Sequence, residues 1–261
     1  MCKDALVRSD RLLSTLLLLA FFSMPGTALA AERTDQNLLA GADLFAQAPA
    51  AFRMALAVGA EGAPARSQME IYRRGRDLAV IRLLDKKDLG KYFLKRGPDL
   101  WFFSPGAKQP VRLGPGYKLA GASLDEILGL SFARDYQLTG AVRANGVATL
   151  DLEAVAASAS YPKARLALAV ATGLPLRIEL RTREGKVLRI VEIPKWRDAT
   201  KRIPAELVLK DLVRGGAPLR LEFLALEARD LPESFFALDA VGLRQREFAI
   251  SRPVLDSRAL R

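Results

Sequence analysis

Residues 100–136 read LWFFSPGAKQPVRLGPGYKLAGASLDEILGLSFARDY, and this stretch decides the fold. It opens with an aromatic segment of strand character, and Pro105-Gly106 then turns the chain into a short basic strand. A glycine-rich loop follows, and one short helix begins after Ser123. The stretch therefore predicts a β-sheet that carries a small inserted helix.

The inserted helix has a clear start signal. Ser123 and Glu126 have the spacing of a capping box, in which each side chain bonds the other residue's backbone amide. Asp125 and Glu126 also favour the positive end of the helix. A paired-carboxylate active site is the alternative for these two acids, and the capping-box spacing favours the structural reading.

On either side of this stretch, apolar residues mostly recur at every second position. Alternating or doubly apolar segments of four to nine residues are separated by turn signals, among them 96–99 (RGPD) and Asn145-Gly146. The pattern predicts an antiparallel meander of about ten strands. Residues 34–48 instead show helical spacing before Pro49, which predicts one amphipathic N-terminal helix.

Several strands are apolar on both sides, so both faces of the sheet need a cover. Leu100 and Phe102 point one way, whereas Trp101 and Phe103 point the other. Helices lying over a curved sheet would leave an apolar cavity, and we predict that Trp101 and Phe103 face it. An ordinary packed core is the alternative. The candidate cavity residues are Trp101, Phe103, Leu94, Ile81, Leu83 and Leu128.

The chain is basic, with 40 Lys and Arg against 29 Asp and Glu. The excess is concentrated in residues 66–118, which hold 13 basic and 5 acidic residues. This bias favours anionic partners such as a membrane surface, although arginines that solvate an outer sheet face explain much of it. The candidate residues for headgroup or membrane contact are Arg73, Arg74, Lys91, Lys95 and Arg96.

Residues 1–30 have the pattern of an export signal. A basic start precedes the apolar run Leu12–Phe22, and Ala28-Leu29-Ala30 forms a small-x-small cleavage site. Cleavage after Ala30 removes Cys2, the single cysteine. We therefore expect a periplasmic protein without disulfides, and its location argues against nucleic acid as a partner.

Common catalytic chemistry is missing from the sequence. The chain has no histidine, so the most frequent general base and metal ligand is absent. Residues 160–163 (SYPK) match S-x-x-K, but Pro162 opposes the helix that this motif needs. The composition leaves a carboxylate-dependent hydrolase open, and no pair of acids is singled out. We predict no enzyme activity, no cofactor and no metal.

The order of segments resembles the outer-membrane lipoprotein-sorting protein family, the LolA-like periplasmic carriers. The resembling parts are LLAGADLF, QMEIYRRG with LAVIRLL, KYFLKRGPDLWFFSPGAKQPVRLGP, KLAGASLDEILGLSFARDY and LPESFFALDAVGL, within residues 37–243. The resemblance implies a mainly β (α+β) fold. This would be an open, strongly curved antiparallel half-barrel with an N-terminal helix and a short inserted helix covering its concave face.

The resemblance also implies a function. The protein would bind acyl chains of a lipid or lipoprotein and move them between membranes, with inner- or outer-membrane transport proteins and a transient anionic membrane surface as partners. The family's carriers use an arginine in the cavity region, which the sequence does not assign. A periplasmic sensor of the same fold is the alternative function. We expect a monomer with a signal peptide (1–30), one domain (31–243) and a basic C-terminal tail (244–261).

Overall fold

The computed structural model describes residues 35–65, 67–114, 116–156 and 159–250. The predicted signal peptide and the end of the predicted tail lie outside these residues. The proposed domain boundaries therefore remain predictions. Within the described residues, no helix has the length and hydrophobicity needed to cross a bilayer.

The described residues are mainly β, and one antiparallel sheet of thirteen strands dominates them. The strands of this sheet are β1 (Ala51–Ala60), β2 (Ser67–Arg74), β3 (Leu78–Leu83), β4 (Tyr92–Arg96), β5 (Asp99–Phe103), β6 (Val111–Leu113), β9 (Tyr136–Ala144), β10 (Val147–Ala154), β11 (Lys163–Ala169), β12 (Pro175–Arg181), β13 (Val187–Asp198), β14 (Ile203–Asp211) and β15 (Leu219–Ala228). A separate two-stranded pair joins β7 (Lys118–Leu119) and β8 (Ala122–Ser123). The sheet thus has more strands than the ten or so expected.

Helices in the described residues are short. Residues 35–40 form α1, and the others are α2 (Leu124–Leu128), α3 (Phe132–Asp135) and α4 (Val241–Ile250), with 3-10 turns at Lys86–Asp88 and Glu233–Phe236. The N-terminal helix ends at residue 40, earlier than the predicted 48. Gly41 and Ala42 bond back to Asn37 and Leu39, and Phe45 adopts a positive φ of 61°, so the chain leaves the helix to fit against the sheet.

The strand order explains why α2 and α3 cover one face. Two meanders, β1–β6 and β9–β15, join through the pairing of β1 with β15, so β6 and β9 are the two edges. The segment that connects these edges contains β7, β8, α2 and α3. It packs with α1 on one face of the sheet, where their apolar side chains share a cluster with Phe52, Ile81 and Leu100.

The C-terminal residues cover the other face of strands β2–β5. Phe235 and Phe236 pack on Tyr72, Val80 and Leu94, and side chains of α4 join them. The start of the predicted basic tail is therefore helical in the structure. Its Arg244 is fully buried. Strands β2–β5 are thus covered on both faces, as their doubly apolar sequences predicted, whereas β10 and β11 alternate between buried and partly exposed residues.

Candidate ligand-binding cavity

A cavity of about 610 Å³ lies between α2–α3 and the strands β2, β4 and β5. Its lining mixes apolar and charged groups. Four basic and three acidic side chains reach it, together with six large apolar ones: Leu100, Tyr117, Leu124, Leu128, Leu130 and Tyr136. The volume lies within the usual range of sites for small ligands.

Helix α2 begins with the predicted capping box. The Ser123 amide donates to Glu126 Oε2 at 2.7 Å, and the Glu126 amide donates to Ser123 Oγ at 3.2 Å. These bonds give acceptors to two backbone amides that the first turn of a helix otherwise leaves without a hydrogen-bond partner. The prediction of a capping box is confirmed.

Glu126 also fastens α2 to the sheet. Arg189 donates to Glu126 Oε2 at 3.2 Å and to Asp211 Oδ2 at 3.0 Å, and Tyr161 donates its hydroxyl to Glu126 Oε1 at 2.8 Å. Burial and the nearby carboxylate of Glu126 raise the pKa of Tyr161, so its hydroxyl remains a donor. The first turn of α2 is thus held to the sheet by a buried polar network.

Helix α3 is held by Asp43, from the segment that follows α1. Asp43 Oδ1 accepts from the amides of Phe132 at 2.6 Å and Ala133 at 3.2 Å. Its other oxygen lies 2.5 Å from Arg76 Nη1, which also contacts the Ser131 hydroxyl. The buried carboxylate therefore joins α3, the N-terminal segment and the sheet side of the cavity.

Arg73 is the buried arginine at the cavity wall. Its side chain donates to the carbonyl oxygens of Gly75, at 2.7 Å, and of Leu128, the last residue of α2. The guanidinium carbon lies 5.9 and 5.8 Å from the ring centroids of Phe45 and Phe52. Burial, with a smaller contribution from Arg76, lowers the pKa of Arg73 to about 10, so it stays protonated at neutral pH.

The strand register shows where the six predicted cavity residues lie. Directly opposed residues share a face, so Trp101, Leu94 and Val80 form one row, whereas Phe102, Phe93 and Ile81 form another on the opposite face. Ile81, Leu83 and Leu128 belong to the cluster under α1–α3. Trp101, Phe103 and Leu94 belong to the cluster under α4. The six residues therefore do not share a face, and Leu100, not Trp101, lines the cavity.

The five predicted basic residues are divided in the same way. Arg73 and Lys95 line the cavity. Arg74 donates to the carbonyl of Leu231 at 2.9 Å on the other face, and Arg96 shares that face because its register partner is Leu78. Lys91 pairs with Asp88 at 2.9 Å. Which sheet face each basic residue occupies could not be predicted from the sequence, because both sides of β2 and β4 carry basic and apolar residues.

Arg244 anchors the C-terminal helix on the opposite face. It donates to three carbonyl oxygens, those of Phe235, Ala237 and Leu238, at 2.6–3.1 Å, and to the Tyr92 hydroxyl at 3.2 Å. Its guanidinium carbon lies 5.2 Å from the Tyr92 ring centroid and 5.1 Å from that of Phe103. Sequence reasoning assigned this arginine to a basic tail and missed its buried position.

Comparison with known proteins identifies the family. A family model described as "Uncharacterized protein" matches residues 75–241, well over half of the chain. The chain belongs to this family. A search of curated proteins finds no match.

Solved structures establish the fold. A LolA superfamily protein, NE2245 from Nitrosomonas europaea, is 22% identical with a TM-score of 0.65, covering 82% of this chain and 98% of its own. A putative outer membrane lipoprotein-sorting protein domain from Vibrio parahaemolyticus is 16% identical with a TM-score of 0.60, covering 80% and 97%. A DUF1329 family protein from Desulfovibrio piger is 16% identical with a TM-score of 0.57, covering 81% and 95%. The family member described here has the LolA-superfamily fold, so the sequence resemblance is confirmed.

Proposed function

We propose that this protein binds the acyl chain of a lipid or lipoprotein in the cavity beneath α2 and α3 and carries it between membranes. The observation that supports this most is the 610 Å³ cavity with leucines and tyrosines along its wall. Each buried CH₂ contributes about 0.8 kcal/mol, so a single acyl chain can bind well in such a space. The LolA-superfamily fold adds support, since one similar structure is named as a lipoprotein-sorting protein domain.

In this proposal the sheet curves as an open half-barrel around the cavity, and α1, α2 and α3 close its concave face. The segment between β6 and β9, which contains α2 and α3, joins the two edge strands of the sheet. It must therefore cross one face of the sheet. Closure brings the apolar side chains of α2 against those of the sheet. A ligand chain would replace some of these contacts with its own apolar surface.

Opening requires α2 to move, and Arg73 is the contact that would break. Its bond to the carbonyl of Leu128 holds the C-terminal end of α2, whereas Glu126 and Arg189 hold the other end. Gly129 follows directly with a φ of 91°, which favours glycine at this joint. We propose that α2 pivots at the end held by Glu126 and Arg189, that its Leu128 end moves away from Arg73 when ligand enters while Gly129 absorbs the change in backbone direction, and that Arg73 restores the closed position.

The remaining parts of the proposal concern location and partners. The protein would be exported by the segment 1–30, act in the periplasm as a monomer, and exchange cargo with membrane transport proteins at a transient anionic membrane surface. It would bind and release its ligand without chemical change. The three solved structures named above are a LolA superfamily protein, a lipoprotein-sorting protein domain and a DUF1329 family protein, and the first two support this proposal.

A fluorescent fatty acid tests the proposal directly. The protein without residues 1–30 should bind it, and Leu100→Trp, which places an indole ring in the cavity, should weaken binding about tenfold, or about 1.4 kcal/mol. Trp101→Leu is the matched control on the opposite face of the same strand, and it should bind with unchanged affinity. Absence of binding to the unaltered protein, or weakening by Trp101→Leu alone, would refute the assignment of the cavity.

Lipid extraction provides an independent check. Protein purified gently from the periplasm should release acyl-chain compounds that mass spectrometry detects, and Leu100→Trp protein should release less of them. Equal amounts from the two proteins would mean that the lipid adheres elsewhere.

A further inference from the structure

Two cations at the cavity have no carboxylate partner among the described residues. Arg73 and Lys95 donate only to backbone carbonyls, and Lys95 Nζ lies 2.6 Å from the oxygen of Gly97. The other two basic residues of the lining are neutralised by aspartates, in the pairs Arg76–Asp43, Arg134–Asp77 and Arg134–Asp135. Arg73 and Lys95 are therefore the two cations of the lining that form no ion pair with a described carboxylate; Asp77 acts on both, and Asp125 on Lys95, only from a greater distance.

The sheet places these two cations side by side with a gap between them. Arg73 on β2 opposes Ala79 on β3, and Ala79 opposes Lys95 on β4. The three residues therefore form one row on the cavity face, and the two basic positions are about 10 Å apart, two strand spacings. Ala79 contributes only a methyl group to this row. The row continues to Phe52 on one side and Leu100 on the other, so apolar surface flanks the cations.

Arg73 is buried and Lys95 is half-buried, and burial of a cation is costly without a counter-ion. Desolvation lowers the pKa of Lys95, as it does for Arg73, whose pKa of about 10 keeps it a cation at neutral pH. The third acidic residue of the lining, Asp125, accepts a hydrogen bond from the Ser160 hydroxyl and is not within ion-pair distance of either cation. An anion seated between Arg73 and Lys95 would compensate both charges and gain charge-assisted hydrogen bonds.

We infer that Arg73 and Lys95 form a site for the anionic headgroup, carboxylate or phosphate, of the amphiphile whose acyl chain fills the cavity. This inference rests on the proposed function and specifies its ligand class. The headgroup would lie over Ala79, and the chain would extend along Leu100 and Leu128. Since Arg73 also bonds the carbonyl of Leu128, headgroup binding competes with the bond that closes α2 and thereby links ligand entry to opening.

A matched set of probes tests the headgroup site. The probes are a fluorescent fatty acid, its methyl ester and the monoalkyl phosphate of the same chain, titrated at pH 7.5 into the protein without residues 1–30. The acid and the phosphate should bind at least tenfold more tightly than the ester. Lys95→Met should remove this preference without changing the affinity for the ester, and Lys95→Arg should restore it.

Arg96→Met is the control variant, because Arg96 is the next residue of β4 and points to the opposite face. It removes the same charge and should keep the preference for the acid. If Lys95→Met unfolds the protein, as thermal unfolding would show, the comparison of acid with ester in the unaltered protein and in Lys95→Arg still decides the question.

Each outcome has a separate meaning. Equal affinity for acid and ester would overturn the headgroup site and leave the carrier function intact. Binding of no probe would overturn the carrier function and the headgroup site together. A preference that survives Lys95→Met would show that the anion binds elsewhere. If inorganic phosphate alone stabilises the protein as much as the monoalkyl phosphate does, the site binds a free anion and the headgroup assignment is wrong.

Discussion

Each face of the sheet holds a buried arginine, and the surroundings of the two differ. Arg244 lies beside the stacked rings of Tyr92 and Phe103 and bonds three carbonyls and a hydroxyl. Arg73 bonds two carbonyls, one of them at the end of α2, and borders a 610 Å³ cavity. The same guanidinium chemistry thus serves as a fixed anchor in an aromatic cluster and as a releasable contact beside open space.

The largest effect should come from Arg244. Arg244→Met removes a fully buried charged donor and leaves three carbonyls without it, so the free energy of unfolding should fall by about 3 kcal/mol. Chemical denaturation measures this change. Arg246→Met, an exposed position on the same helix, should change it by less than about 0.5 kcal/mol. Equal effects of the two variants would mean that α4 is not anchored through Arg244.

Arg73 should affect ligand release more than stability. Arg73→Met removes the bond to Leu128, and hydrogen bonds to charged groups contribute about 1.5–3 kcal/mol, so release of a fluorescent fatty acid should accelerate at least tenfold. Stopped-flow displacement measures the rate. Arg74→Met, the neighbour on the opposite face, should release at the unaltered rate. An unchanged rate in Arg73→Met would remove this arginine from the closing mechanism.

A smaller effect is expected at the start of α2. Ser123→Ala removes one capping bond and should reduce the free energy of unfolding by about 1 kcal/mol. Glu126 would still be held by Arg189 and Tyr161, so α2 should remain formed. Ser234→Ala, which removes an exposed hydroxyl in the segment that covers the opposite face, is the control and should have little effect on unfolding. Loss of α2 signals in circular dichroism or NMR would contradict this account.

Local sequence signals predicted the strands and their turns well. The Asn145-Gly146 pair joins β9 to β10 with both residues at positive φ, 52° and 76°, as its hairpin signature requires. The capping box of α2 follows equally from residue spacing. These features depend on neighbours within a few residues, which the sequence displays directly.

The face of the sheet on which a given side chain lies could not be predicted in the same way. Leu100 and Trp101 are both suited to a covered face, and only the cross-strand register and the covering segments show which of them meets the cavity. The C-terminal helix was missed for a related reason. Its most buried residue is Arg244, not an apolar one, so the hydrophobic period that indicates a helix is weak there.

Hydrogen exchange with and without bound fatty acid tests the central claim most directly, namely that ligand enters beneath α2 and α3 and not beneath α4. Mass spectrometry would follow amide exchange in the peptides that contain residues 124–135 and 233–250. We expect that bound ligand changes the amide exchange of residues 124–135 and leaves that of residues 233–250 unaltered. A change confined to residues 233–250 would place the ligand on the face of Trp101 and Arg244 and contradict the account.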